Sequence, residues 1–99
     1  MNVHIKARWI DETGEVVKSE YTDGQLALLL MEGKQPLAKL SVNLIGHGMI
    51  CPSEHVFVPD YSENEGLPAE LERLGICERV QDVTFGPYDT QAVLMKVLV

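Results

Sequence analysis

Apolar and polar residues alternate with a period of two through the first 45 positions, with turn residues at short intervals, and that pattern confines this stretch to β-strands. Val3, Ile5, Ala7 and Trp9 alternate with His4, Lys6 and Arg8, which predicts a strand buried on one face. Asp11-Glu12-Thr13-Gly14 follows as a hairpin turn, closed by a glycine that can take positive φ. Val17, Ser19 and Tyr21 then fall on one face, Lys18 and Glu20 on the other. Asp23-Gly24 favours a two-residue type I′ turn. Gln25 to Met31 is apolar at both parities and predicts a central strand covered on both sides. A turn from Glu32 to Pro36 leads into a fourth strand, Leu37 to Ile45. There Ala38, Leu40, Val42 and Leu44 alternate with Lys39, Ser41 and Asn43. Four strands joined by short turns make an antiparallel meander.

The second half changes character. Gly46 to Glu54 has the glycine and proline content of a loop, and His55 to Val58 is a short strand ended by Pro59. Leu67, Leu71 and Leu74 recur at four and three residues, one face of a helix. Asn64 is placed to cap its start, Pro68 fits the first turn, and Gly75 is placed to end it. So short a helix must dock on the sheet to persist in water. Glu78 to Phe85 and Gln91 to Leu98 read as strands joined by Gly86-Pro87-Tyr88-Asp89. The final residues stay apolar, which predicts a last strand held inside the sheet. The expected fold is α+β, one domain over residues 1–99. It has a four-strand meander, two or three further antiparallel strands, and one short helix packed on them.

Composition narrows the function. Apolar residues make up 45% of the 99, enough for one packed core and too many for disorder. No run approaches the roughly 18 to 20 apolar residues of a membrane helix. Met1 to Lys6 lacks the apolar stretch of a secretory signal. Two cysteines are too few for a disulfide framework, and free thiols suit a reducing compartment. A cytoplasmic protein without membrane contact is expected. Fifteen acidic against eight basic residues leave a net charge of -7, which disfavours direct binding to a phosphate backbone. The acidic excess serves solubility, or it imitates nucleic acid; the acids are scattered, with Glu63, Glu65, Glu70 and Glu72 the closest group.

Three sets of residues carry candidate chemistry. Asp60, Ser62 and Asn64 present oxygens at alternate positions, as a calcium loop does. The register then fails, because the glycine comes one place late, at Gly66, and Leu71 stands where a bidentate Glu is required. Capping explains the segment better, through Asn64 or through a Ser62–Glu65 capping box. His47, Cys51, His55 and Cys77 could supply zinc with two imidazoles and two thiolates, but not at the spacing of small zinc modules. The alternative makes the cysteines small core hydrophobes and His47 a loop residue. Cys51 with His47 or His55 can be written as a hydrolase dyad, as any small protein with these residues allows. No nucleophile elbow or phosphate-binding glycine loop appears. Tyr61, between a strand and the helix, is placed either to project at an interface or to pack over the helix.

The stretches 40–44 (Leu-Ser-Val-Asn-Leu), 56–66 (with Asp60-Tyr61-Ser62-Glu63-Asn64-Glu65-Gly66) and 74–76 (Leu-Gly-Ile) resemble a family of small uncharacterised bacterial proteins carried on plasmids, phages and integrated elements. Pro68 and the loop from Gly46 to Pro52 depart from that pattern. The resemblance implies an accessory protein, with anti-defence one such role, and assigns no residue a reaction. The expected function is therefore non-catalytic binding of a protein partner through Asp60, Tyr61, Glu63, Glu65, Glu70 and Glu72, without a cofactor. The alternatives are a zinc or calcium domain and a small Cys/His hydrolase. An exposed edge strand would allow a homodimer, and the apolar run from Val93 to Val99 could supply one.

Overall fold

The computed structural model describes residues 2–99, apart from the side chain of Glu63. The fold is α+β. Strands β1 (Asn2–Lys6), β2 (Asp11–Glu20), β3 (Leu26–Glu32) and β4 (Gln35–Lys39) form an antiparallel meander in that order. Strand β5 (His55–Pro59), helix α1 (Leu67–Arg73), and strands β6 (Cys77–Phe85) and β7 (Thr90–Val97) follow. The last three strands make a second antiparallel sheet in the order β5-β7-β6.

The first hairpin turns earlier than the glycine suggested. The chain reverses over residues 7–10, where the Ala7 N–H donates to the Ile10 carbonyl at 2.8 Å. Gly14 lies within β2 opposite Val3. A Cβ there would stand 2.6 Å from the Met31 carbonyl oxygen, so close approach of β3 is what requires the glycine. The early turn also resets the parity. Ile10 takes the buried place while Trp9 is 73% exposed. Gly14 and Val16 face the core, and Lys18 and Glu20 continue that same side. The second loop is one residue longer than a type I′ turn. Tyr21 N–H bonds Gln25 O at 2.8 Å across Thr22-Asp23-Gly24, with Gly24 at φ 86.

Strand β3 is central, as its continuous apolar run predicts, with Leu28 and Leu30 fully buried. Strand β4 is shorter than predicted. It stops at Lys39, and the chain crosses to the second sheet, where Val42 bridges Phe57. Alternation persists through the crossing because each segment still presents an apolar side to a core, Leu40 to the first and Leu44 to another.

The main core joins Ile5, Val16, Leu28 and Leu30 of the first sheet to Val56, Val58, Val93 and Met95 of the second. Leu67 and Leu71 of α1 complete it. Phe57, Ala92 and Leu44 form a smaller cluster on the opposite face of the second sheet. Strand β7 is paired on both sides. It lies inside the sheet as expected, so the run from Val93 supplies no edge strand; β5 and β6 are the edges of that sheet. Among the described residues no helix is long and apolar enough to cross a membrane.

The helix begins without the predicted cap. Ser62–Asn64 is a separate 3₁₀ turn, and Gly66, at φ 88, occupies the N-cap position with no side-chain bond. Neither Asn64 capping nor the Ser62–Glu65 box forms: the helix starts later, with Gly66 at its N-cap, and the Glu65 carboxylate bonds Arg8. The C-terminal end follows expectation. Gly75 is at φ 72, its N–H donates to Glu72 O at 3.0 Å, and Ile76 N–H donates to Leu71 O at 3.0 Å.

Candidate functional site

The acidic segment is tied into the fold at each of its described carboxylates. Asp60 Oδ1 accepts the Gly66 N–H at 2.8 Å and closes the loop between them. The Asp60 N–H reaches back to Gln91 O at 3.1 Å, fastening the loop to β7. Glu65 takes two bonds from Arg8: its carbonyl accepts the backbone N–H at 3.0 Å and its carboxylate accepts Nη1 at 2.8 Å. Glu70, with a side chain only 10% exposed, accepts Arg73 Nε at 2.9 Å, Arg73 Nη2 at 3.0 Å and the Lys6 N–H at 3.0 Å. The Arg73 hydrogen bonds are the main reason its carboxyl sits below the usual carboxylate range. Glu72 pairs with Arg79, which also holds Asp82. The Glu63 side chain lies outside what the structure describes.

Each of the three arginines is thus engaged by a carboxylate. The segment is not a loose acidic array but a strap fastened across the edge of β1 and the start of β6. Tyr61 is half-buried, with its ring edge-on to Phe85 at 5.9 Å. It packs on Phe85 of β6.

What the strap positions is Trp9. The two Arg8–Glu65 bonds hold the β1–β2 turn against the strap, and the Arg8 guanidinium lies 5.9 Å from the centre of the Trp9 ring. A cleft of about 340 Å³ opens beside the indole, lined by Trp9, Leu37, Lys39, Val42 and Asn64 among others. Trp9 shares the parity of Val3 and Ile5, which predicts a buried side chain. The Ala7–Ile10 turn contains neither glycine nor proline, so nothing local announced the change.

The four soft-metal candidates are not brought together. Cys77 is buried in the main core, and burial pushes its thiol up to about 12. Cys51 packs on the smaller cluster, its thiol also raised by burial. His47 stands edge-on to Phe85 at 5.0 Å, and the His55 ring bonds the Ser53 carbonyl through Nδ1 at 2.8 Å. Among the described residues no group of three or more His, Cys, Asp or Glu side chains is arranged to hold a metal ion. Asp60, first of the calcium candidates, spends Oδ1 on Gly66. The cleft that Cys51 lines has no histidine among its lining residues, so the Cys/His pair of the hydrolase reading is not assembled there.

These features define a two-sheet α+β protein in which a pinned turn presents one large aromatic side chain. Comparison of the chain with protein-family models, curated proteins and solved structures finds no match.

Proposed function

We propose that this chain is a non-catalytic protein-binding module whose contact surface is centred on Trp9 and flanked by the strap from Asp60 to Glu72. The single observation that carries the reading is Trp9 itself. An indole 73% exposed keeps a large apolar surface in water, and here the turn beneath it is fastened by both Arg8–Glu65 bonds. Aromatic anchors held in advance of binding are what protein interfaces use for their central contacts, because little entropy is then lost on association. Tyr61 and the paired acids act mainly by positioning the strap. Carriage on a mobile element, implied by the resemblance at 56–66, belongs to the same proposal.

Affinity capture from host lysate with the wild-type chain and with Trp9→Ala tests this. A captured protein should be lost from the variant by at least about tenfold, the scale of an interface hot spot. Circular dichroism and thermal melting should be unchanged, since Trp9 packs little. Equal capture by both proteins would overturn the proposal.

A further inference from the structure

The core-facing side of β2 runs Gly14, Val16, Lys18, Glu20, and the last two are charged and exposed. Cross-strand register places Lys18 opposite Leu28 and Glu20 opposite Leu26, both apolar. Two charges therefore continue the face that the core occupies, at an end the second sheet does not cover. A cleft of about 560 Å³ opens at that end, lined among others by Lys18, Glu20, Leu26, Cys51, Glu54 and Val97. That volume is in the range of small-molecule sites, roughly 300–1,000 Å³.

Glu54 adds a second carboxylate to the rim. It sits at φ 62, an uncommon conformation for a residue with a Cβ, and its carbonyl is fixed by the Val97 N–H at 2.9 Å. Among the described residues, the side chains of Lys18, Glu20 and Glu54 make neither ion pairs nor hydrogen bonds. This is the opposite of the strap, where the acids are spent on arginines. Lys18 and Glu20 are two residues apart on one strand, hence about 7 Å between their Cα atoms. Leu26, Cys51 and Val97 supply apolar contact alongside them.

We infer that this cleft is a binding site for a small aliphatic molecule with one carboxylate and two cationic groups, the size and charge of a basic amino acid. The ligand carboxylate meets Lys18, its ammonium groups meet Glu20 and Glu54, and its methylene chain lies along Leu26 and Val97. A simple anion would face two carboxylates, and a simple diamine would leave Lys18 opposed.

Lysine, norleucine and 1,5-diaminopentane separate these contributions when titrated into the full chain and followed by amide NMR shifts. Lysine should move the amides of Lys18, Glu20 and Glu54 saturably and leave α1 unmoved. Norleucine and the diamine should each bind roughly threefold or more weakly, as expected for exposed charge pairs. Glu20→Gln should reduce lysine to the level of norleucine. Lys18→Met should remove the preference for lysine over the diamine. Equal affinity for all three probes on the wild-type chain, or shifts that do not saturate, would overturn the inference without reference to either variant.

Discussion

The Ser41 hydroxyl accepts the Leu28 N–H at 3.0 Å, inside the protein, where β4 has stopped supplying partners to β3. One residue earlier the ladder is still made of backbone, with Leu40 N–H donating to Leu28 O at 2.9 Å. One residue later the chain belongs to the other sheet, and Val42 N–H donates to Phe57 O at 2.9 Å. A side-chain oxygen thus stands in for a carbonyl while the backbone changes sheets. Ser41 is 4% exposed and shares a second bond of 2.8 Å with the Tyr21 hydroxyl. Burial raises the Tyr21 phenol above its ordinary range, so it keeps its proton at physiological pH.

Ser41→Ala removes the acceptor and strands a buried amide, which should cost about 2 kcal/mol. Tyr21→Phe removes only the outer bond and should cost about 1 kcal/mol. Urea unfolding should therefore rank wild type above Tyr21→Phe and Tyr21→Phe above Ser41→Ala. An alanine variant as stable as wild type would mean that another acceptor or a water satisfies the Leu28 N–H, against the burial of Ser41.

Gly14→Ala should lower stability by about 1–3 kcal/mol, as an overpacked core does. The added Cβ would lie 2.6 Å from Met31 O and 3.1 Å from Leu37 Cδ1, and the former is backbone of a central strand that cannot swing aside. The sign is informative, since alanine for glycine within a strand ordinarily stabilises by about 0.5–1 kcal/mol. Gly46→Ala is the matched control. That position has open space around it and no positive φ, so its melting temperature should hold or rise. Equal melting temperatures for the two variants would contradict the close packing of β2 on β3.

Much of this architecture was legible from residue pattern. The apolar run of β3, the leucine spacing of α1, Gly75 at the helix end and the inward β7 all appear as read, because each signal is local and redundant. What failed was punctuation. Gly14 looked like a turn, and only its cross-strand neighbours Met31 and Leu37 reveal why a side chain is excluded. The 37–45 alternation looked like one strand because Leu40 and Leu44 each meet a core, although different ones. For the site, composition and spacing draw attention to the segment from Asp60 to Glu72. Its partners Arg8 and Arg79 lie far along the chain from Glu65 or on another element, so sequence spacing could not show that its charges were already engaged. The exposure of Trp9 followed from the misplaced turn.

Glu70 caps the Lys6 end of the open edge of β1, and that contact should carry a pH signature. Its carboxylate takes the outward Lys6 N–H, and the next outward amide, Arg8 N–H, goes to Glu65 O. The Lys6 and Arg8 end of a strand edge that could recruit another chain is thereby covered. Hydrogen bonds from Arg73 first, then the Lys6 amide, hold the folded-state pKa below its ordinary value against the opposing effect of burial. A depressed carboxylate binds its proton more readily in the unfolded chain. Its stabilisation is therefore complete above the unfolded-state pKa and is lost as pH falls through the folded-state value. Glu70→Gln removes that charge. The variant should be less stable by about 1–2 kcal/mol near neutral pH, and its stability should fall less between about pH 5 and pH 2 than that of the wild type. Urea unfolding across that window measures the slopes, and hydrogen exchange at Lys6 should quicken in the variant. Parallel slopes with unaltered exchange would show that the carboxylate neither seals the edge nor couples it to acid.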